Sequence, residues 1–190
     1  MDSTHDARDL WSIILAGGNG ERLKPMVQSW LGQPRPKQYC TFIGTRSMFE
    51  HTLDRSDRIV APERRVTVIA RDHRDEARPQ LSSRPKGKLI LQPSNRETAA
   101  GIFLGLTYVR AHDPTATVLI FPSDHFVYPE DTFVEKAQRL ARAARNLKHW
   151  VFLLSSHAQP ELLCTPAAGV SRTHRRPGAA GRDLVRLGQA

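Results

Sequence analysis

An apolar run that leads directly into a glycine-rich turn constrains the fold of this chain more than any other feature. Residues 11–15 have the pattern of a buried strand, and Gly17, Gly18 and Gly20 follow at once. Glycines let backbone amides approach a ligand without side chains in the way, and amides presented by such a turn attract anions. Arg22 adds a cation, so the segment is typical of a site for a phosphate chain. The alternative is an ordinary tight turn after a first strand.

Two common phosphate-binding motifs are absent from this turn. A P-loop requires Gly-x-x-x-x-Gly-Lys-Ser/Thr, and the sequence contains no such run. A dinucleotide-binding turn requires a third glycine where this chain has Leu23. P-loop ATPases and nicotinamide-dependent dehydrogenases therefore lose their main support.

A second basic segment contains Arg35, Pro36 and Lys37. Proline fixes its own φ and holds the preceding residue extended, so we expect both cations on a stiff loop. Arginine suits a forked phosphate contact and lysine suits a compact one. A solvated basic loop without a ligand is the alternative.

Strands and helices alternate through residues 11–154, which predicts a parallel sheet with right-handed crossovers. The helix at residues 98–111 is apolar on nearly all sides. We therefore expect it to be buried, with Gly101 and Gly105 allowing close packing against the sheet. A short helical stretch after the second strand is expected to be interrupted at Pro79. The predicted strands are 11–16, 66–70, 88–92, 117–121 and 150–154, and the predicted helices are 47–57, 98–111 and 130–147.

Ligands of parallel sheets bind beyond the carboxyl ends of the strands. Three loops with functional residue types follow predicted strands, at residues 17–20, 93–98 and 122–125. Because three such loops meeting at one edge are less expected by chance than any one of them, the pattern favours a binding site there.

The same loops carry a family resemblance. Residues 15–25 (LAGGNGERLKP) and 35–38 (RPKQ) resemble motifs of the sugar-1-phosphate nucleotidyltransferases. Residues 92–99 (QPSNRETA) are similar to the segment after the third strand in mannose-1-phosphate guanylyltransferases, and residues 121–125 (FPSDH) resemble their metal-binding Pro-x-Asp-His. The resemblance covers roughly residues 11–154. It implies an α/β, Rossmann-like (GT-A-like) nucleotidyltransferase fold, with a mostly parallel sheet and helices on both faces.

The resemblance also implies a reaction and a set of residues. A nucleotidyl group would pass from a nucleoside triphosphate, GTP in mannose-1-phosphate guanylyltransferases, to a sugar 1-phosphate such as mannose 1-phosphate, giving GDP-mannose and pyrophosphate. Arg22 and Lys37 would be catalytic, and Asp124 would hold Mg²⁺, the expected cofactor. The implied nucleotide-binding residues are Leu15, Ala16, Gly17, Gly18, Gly20, Gln92 and Thr98.

Several of these roles have structural alternatives. Asp124 could instead cap a helix, and Thr98 could merely cap the helix that follows it. His125 is expected to pack or to support a neighbour, because imidazole matches magnesium poorly. The family most often has Asn where this chain has Glu97, so both guanine and other bases stay open.

Beyond residue 154 the sequence departs from the family pattern. The segment that supplies the sugar pocket and a second metal aspartate in the family does not follow, and residues 155–190 show no strand or helix period. We expect a disordered N-terminus (1–10), the N-terminal part of a nucleotidyltransferase domain (11–154) and a basic, disordered tail (155–190). The fold is thus expected to be incomplete at the C-terminus, through a shifted reading frame or as a genuine short variant. Little sugar-nucleotide synthesis by the chain alone is then expected.

Composition narrows the other classes of function. The 190 residues suffice for one core, no run is long enough to span a membrane, and two cysteines are too few for a disulfide framework. We expect reduced thiols and a cytoplasmic location. The net charge of +9 is dispersed, so no specific nucleic acid is expected. The open alternatives are a non-catalytic nucleotide-binding fragment or pseudoenzyme, and a homo-oligomer formed through an uncovered sheet edge.

Overall fold

The computed structural model describes residues 9–94 and 96–147. In this part of the chain, strands and helices alternate in the predicted α/β order. The strands are β1 (Leu10–Ala16), β2 (Arg65–Ala70), β3 (Lys88–Gln92) and β4 (Thr117–Pro122). The helices are α1 (Lys24–Leu31), α2 (Met48–Asp57), α3 (Arg74–Ser82), α4 (Glu97–His112) and α5 (Glu130–Leu147). The predicted strand at 150–154 and the tail lie outside the described residues.

The four strands form one parallel sheet in the order β3-β2-β1-β4. β1 lies between β2 and β4, and Ile13 is paired with Val66 on one side and with Ile120 on the other. Because all strands run the same way, their carboxyl ends meet at one edge of the sheet. The predicted parallel α/β sheet is confirmed.

The two faces of the sheet carry separate apolar clusters. Leu10 and Ile14 of β1 point to one face, where α2, α3 and α5 pack. Trp11 and Ile13 point to the other face, where they pack with Val109 of α4. This alternation along β1 follows from the two-residue period of a strand and explains why its apolar run is continuous.

The expected burial of α4 on nearly all sides is wrong. Gly101, Gly105 and Val109 are buried, but the side chain of Phe103 is 69% exposed. Among the described elements, α4 is the helix that covers this face of the sheet, so its outer side has no described layer above it. The predicted close packing is confirmed, because a Cβ on Gly105 would lie 2.9 Å from Cγ2 of Ile13.

Two other local expectations need correction. α3 is not interrupted at Pro79 but continues through it, and Ala77 of this helix is fully buried in the core. The proline removes one backbone donor, but its fixed φ is compatible with a helix. Helix α1 was not predicted. Its sequence signals are Pro25 in the first turn and Gly32, which ends the helix with a left-handed φ of 71°.

Candidate functional site

A cavity of about 430 Å³ opens at the carboxyl edge of the sheet. It lies among the glycine turn after β1, the loop that contains Lys37, the start of α4 and the residues after β4. It is lined by Leu15, Gly17, Gly18, Asn19, Gly20, Glu21, Arg22, Leu23, Lys37, Gln38, Val68, Gln92, Glu97, Thr98, Gly101, Pro122, Ser123 and Asp124.

The glycine turn needs its glycines at two positions. A Cβ on Gly17 would lie 3.3 Å from both the Ala70 backbone nitrogen and Oε1 of Gln92. Gly20 has a left-handed φ of 64°, and a Cβ there would lie 3.2 Å from Cγ of Lys37. The close approach of the strands and of the lysine loop therefore depends on these two residues.

Lys37 and Asp124 form an ion pair at the cavity. Nζ of Lys37 lies 2.5 Å from Oδ2 of Asp124, and about a third of each side chain is exposed. Oδ1 of the aspartate lies 3.9 Å from Nε2 of His125. A cation and a carboxylate from distant segments thus meet where the strands end.

Arg22 and Arg35, which the sequence motifs also predict as phosphate contacts, differ in position. Arg22 lies on the 3-10 turn Glu21–Leu23 at the cavity, is exposed, and makes no ion pair with any described carboxylate. Arg35 contacts Glu76 of α3 instead, with Nε 3.0 Å from the carboxylate, and does not line the cavity. Proline stiffening therefore presents Lys37, but not Arg35, to the site.

Gln92 ends β3 with a buried amide that faces the cavity. The residue is 7% exposed, and its Nε2 has no hydrogen-bond partner among the described residues. Its Oε1 would lie 3.6 Å from a Cβ on Gly101, so the two glycines that flank the amide leave space for it. An unpartnered buried donor is costly unless a ligand or water satisfies it.

The alternative in which Thr98 caps α4 is wrong. The helix starts at Glu97, its N-cap residue is Arg96, and no side chain caps it. Thr98 is therefore inside the first turn, where it lines the cavity. Glu97 itself has a φ of 64°, an unusual conformation for a residue with a Cβ.

The structure brings most of the predicted site residues together. Lining the cavity are Leu15, Gly17, Gly18, Gly20, Arg22, Lys37, Gln92, Thr98 and Asp124. Ala16 is buried below the turn and does not line it. Its carbonyl accepts hydrogen bonds from Nε2 of Gln38 at 3.1 Å and from the Tyr39 hydroxyl at 3.0 Å, and Nδ1 of His73 lies 3.3 Å away.

Sequence reasoning missed the groups that anchor the site. Arg55, 2% exposed on α2, donates to the His125 carbonyl at 3.0 Å and to Oε1 of Glu130 at 2.9 Å. The Ser123 N–H donates to the Leu15 carbonyl at 3.1 Å. Asp124 therefore lies between two anchored neighbours. Gln38 lies in the motif at residues 35–38 and could have been found from it. Nothing near Arg55 in the sequence indicates the distant partners of Arg55.

A magnesium ion held jointly with a ligand suits this donor set. Among the described residues, no group of three or more His, Cys, Asp and Glu side chains could form a metal cage. Asp124 is one of three carboxylate residues, with Glu21 and Glu97, at a cavity that is also lined by Arg22 and Lys37. Magnesium usually takes one or two protein carboxylates and completes its shell with phosphate oxygens and water.

A nucleotidyl transferase family model matches residues 11–161, which is most of the chain and includes every lining residue. The chain belongs to the nucleotidyltransferase family. The family match runs past the predicted domain boundary at residue 154.

Two curated relatives of this nucleotidyltransferase chain are mannose-1-phosphate guanylyltransferases. The one from Salmonella montevideo is 30% identical over 138 residues, which cover 70% of this chain and 28% of the relative. The one from Escherichia coli K12 is 29% identical over 184 residues, which cover 93% of this chain and 35% of the relative. The chain thus spans about a third of the length of these relatives.

A solved structure gives the same picture. The protein in the crystal structure of mannose-1-phosphate geranyltransferase from Thermus thermophilus has 30% sequence identity to this chain, and the two structures superimpose with a TM-score of 0.59. The superposition covers 72% of this chain and 38% of that chain.

None of the described helices combines the length and the apolar character needed to cross a bilayer.

Proposed function

We propose that the cavity binds the triphosphate of GTP and serves transfer of the nucleotidyl group to mannose 1-phosphate with release of pyrophosphate, at the low level that the sequence leads us to expect of this chain alone. The observation that carries this proposal is the meeting of Arg22, Lys37 and Asp124 at one cavity, although each comes from a different loop. The choice of substrates is supported by the names of the two guanylyltransferase relatives.

The two cations at the cavity, Arg22 and Lys37, support binding of a polyphosphate. Arg22 is exposed and free to make a forked contact with phosphate oxygens. Lys37 is held by Asp124 at 2.5 Å, and it would contact the α-phosphate and the incoming sugar phosphate. Both cations would neutralise charge that builds up during transfer and on the leaving pyrophosphate.

Asp124 is the residue that would hold magnesium together with nucleotide phosphate oxygens. When bound, the ion would polarise the α-phosphate. The backbone on either side of Asp124 is held in place, because the Ser123 N–H and the His125 carbonyl are both hydrogen-bonded to other parts of the protein. This supports a fixed position for the carboxylate.

The transfer needs no general base. A phosphate oxygen of the sugar 1-phosphate is already anionic and attacks the α-phosphorus, forming the new P–O bond. The bond from the α-phosphorus to the bridging oxygen breaks, and pyrophosphate leaves with the electron pair. The protein contributes mainly the alignment of the two phosphates, which can supply much of the rate enhancement.

Gln92 is the residue we assign to the base. Its buried amide has a donor without a partner among the described residues, and an amide can offer a donor and an acceptor to the edge of a base. Glu97 and Thr98 line the cavity beside it at the start of α4.

Calorimetric titration in the presence of magnesium tests binding, with GTP compared against ATP, dTTP and CTP. We expect GTP to bind most tightly. Pyrophosphate release with GTP and mannose 1-phosphate then tests transfer, with Lys37→Met as the inactive control. Binding without pyrophosphate release would favour the non-catalytic nucleotide-binding alternative. Folded protein that binds none of the four nucleotides would contradict the proposal.

A further inference from the structure

The Gln38 side chain lies directly beneath the glycine turn. It is 2% exposed, and its Nε2 donates to the Gly18 carbonyl at 2.8 Å and to the Ala16 carbonyl at 3.1 Å. One buried, uncharged amide therefore holds two carbonyls of the turn. Neither contact is required by the charge chemistry assigned to Arg22 and Lys37.

The two carbonyls differ in how much they depend on Gln38. The Ala16 carbonyl is also contacted by the Tyr39 hydroxyl and by His73. Within residues 9–94 and 96–147, the Gly18 carbonyl receives its hydrogen bond from Gln38. Loss of the Gln38 amide would therefore release Gly18 while leaving Ala16 held.

The orientation of one peptide follows from this contact. The bond between Gly18 and Asn19 is trans, so the Asn19 N–H points opposite to the Gly18 carbonyl. With the carbonyl turned to Gln38, the N–H is directed away from the Gln38 side chain. Gly18 and Asn19 both line the cavity, so this N–H is a donor available to an anion there.

Sterics do not hold the peptide in this orientation. A Cβ on Gly18 would meet no heavy atom within 4 Å, and glycine itself permits rotation to other backbone angles. Rotation would present a carbonyl oxygen to a bound phosphate, which is repulsive. The Gln38 hydrogen bond is the contact that opposes this rotation.

We propose that Gln38 is a positioning residue that fixes the Gly18–Asn19 peptide with its N–H directed toward the triphosphate. The same residue links the turn to Lys37, its neighbour in the 3-10 turn Lys37–Tyr39. The backbone donor and the ammonium are thereby set relative to each other before a nucleotide binds. The inference rests on the proposed nucleotide-binding function.

The test uses the full chain with Gln38→Met, which removes the donor and keeps a side chain of similar size. Tyr39→Phe is the matched control, because it removes a buried hydroxyl that contacts the Ala16 carbonyl and the Gln38 side chain but not Gly18. In ¹⁵N-labelled protein without ligand, we expect the Asn19 amide signal to shift or broaden in Gln38→Met and to stay in place in Tyr39→Phe. Gln38→Asn, which is too short to reach both carbonyls, replaces Gln38→Met if that variant does not fold.

Titration with GTP and with inorganic pyrophosphate completes the test. We expect the Gln38 variant to bind both roughly tenfold more weakly, as befits the loss of a hydrogen bond to a charged group, and the Tyr39 variant to bind as the parent does. Parent-like binding and an unmoved Asn19 signal in the Gln38 variant would overturn the inference alone. A parent protein that binds neither ligand would overturn the proposed function, and the inference with it.

Discussion

The ammonium of Lys37 lies 2.5 Å from the carboxylate of Asp124, which joins the loop after the glycine turn to the loop after β4. Each partner has a separate proposed role toward phosphate and metal. Because about a third of each side chain is exposed, the pair adds little to stability. The main consequence of the pair is that, in the site without a ligand, the Lys37 ammonium and the Asp124 carboxylate are in contact with each other.

Lys37→Met should therefore separate activity from stability. We expect pyrophosphate release to fall roughly 100-fold or more, while the free energy of unfolding changes by less than about 1 kcal/mol. Lys24→Met is the control, because it removes another exposed lysine that is paired to Glu21 at 3.6 Å. Urea denaturation and a coupled pyrophosphate assay supply the two measurements. A loss of several kcal/mol would show that the Lys37–Asp124 pair is structural.

Arg22→Ala should weaken GTP binding by roughly 1.5–3 kcal/mol, the usual contribution of a hydrogen bond to a charged group. Stability should be unchanged, since the side chain is exposed and contacts no described carboxylate. Arg110→Ala, an exposed arginine on α4 away from the cavity, removes the same charge and should leave affinity unaltered. Calorimetry compares the two variants, and equal losses would indicate a general charge effect.

Gly105→Ala should destabilise the protein by about 1–3 kcal/mol, the cost of overpacking a filled core. The new Cβ would lie 2.9 Å from Cγ2 of Ile13 on the sheet. Gly101→Ala is the control one turn earlier, where the nearest atoms are at 3.6 Å. There we expect a neutral or stabilising effect of up to about 1 kcal/mol, because alanine suits a helix better than glycine. Thermal unfolding of both variants measures the difference, and equal effects would argue against close packing at Ile13.

Arg55→Met should cost about 3 kcal/mol, the lower end for removing one partner of a buried ion pair, since Glu130 is partly exposed. Desolvation lowers the pKa of Arg55, and the neighbouring Glu130 carboxylate acts against this. Arg58→Met is the matched control, because Arg58 pairs with Asp131 at the same end of α5 but on the surface. It should change stability by less than about 0.5 kcal/mol. Denaturation midpoints that match between the variants would contradict the anchoring role of Arg55.

Cys40 should be unreactive in the folded protein. Burial raises the pKa of its thiol, the charge of Arg35 lowers it, and Glu76 raises it again, with a raised pKa as the result. A smaller thiolate fraction at pH 8 and a fully buried side chain both slow alkylation. In a Cys164→Ser background, we expect rapid labelling by a thiol reagent only after denaturation. Stoichiometric labelling of native protein within seconds would show that the core opens readily.

Local pattern was sufficient for most of the described elements. β1, β3 and α5 follow from apolar period and flanking residues, and their predicted bounds agree with the structure to within a residue. Burial of α4 could not be predicted in the same way, because it depends on which elements cover a helix rather than on the helix itself. Phe103 is exposed even though its sequence neighbours are apolar.

Some residues of the candidate site could likewise be predicted from local sequence, and others could not. Residues that lie in short motifs, such as Arg22 and Asp124, were available from spacing and from the family resemblance. The supporting groups were not, because Arg55 reaches His125 from a helix far away in the sequence. Gln38 was visible in its motif, but its two acceptor carbonyls appear only once the turn is folded.

The central place of β1 in the sheet has a consequence for synthesis on the ribosome. β1 is the first of the described strands to be synthesised, and it can pair with β2 early. Its other edge stays open until β4, the last described strand, has emerged. Asp124 lies two residues after the end of β4. The nascent chain therefore contains the glycine turn long before it contains the Asp124 carboxylate on the other side of the cavity. Ligand capture should therefore begin only after that last strand docks, and a bound nucleotide would then hold the earliest and latest parts of the sheet together.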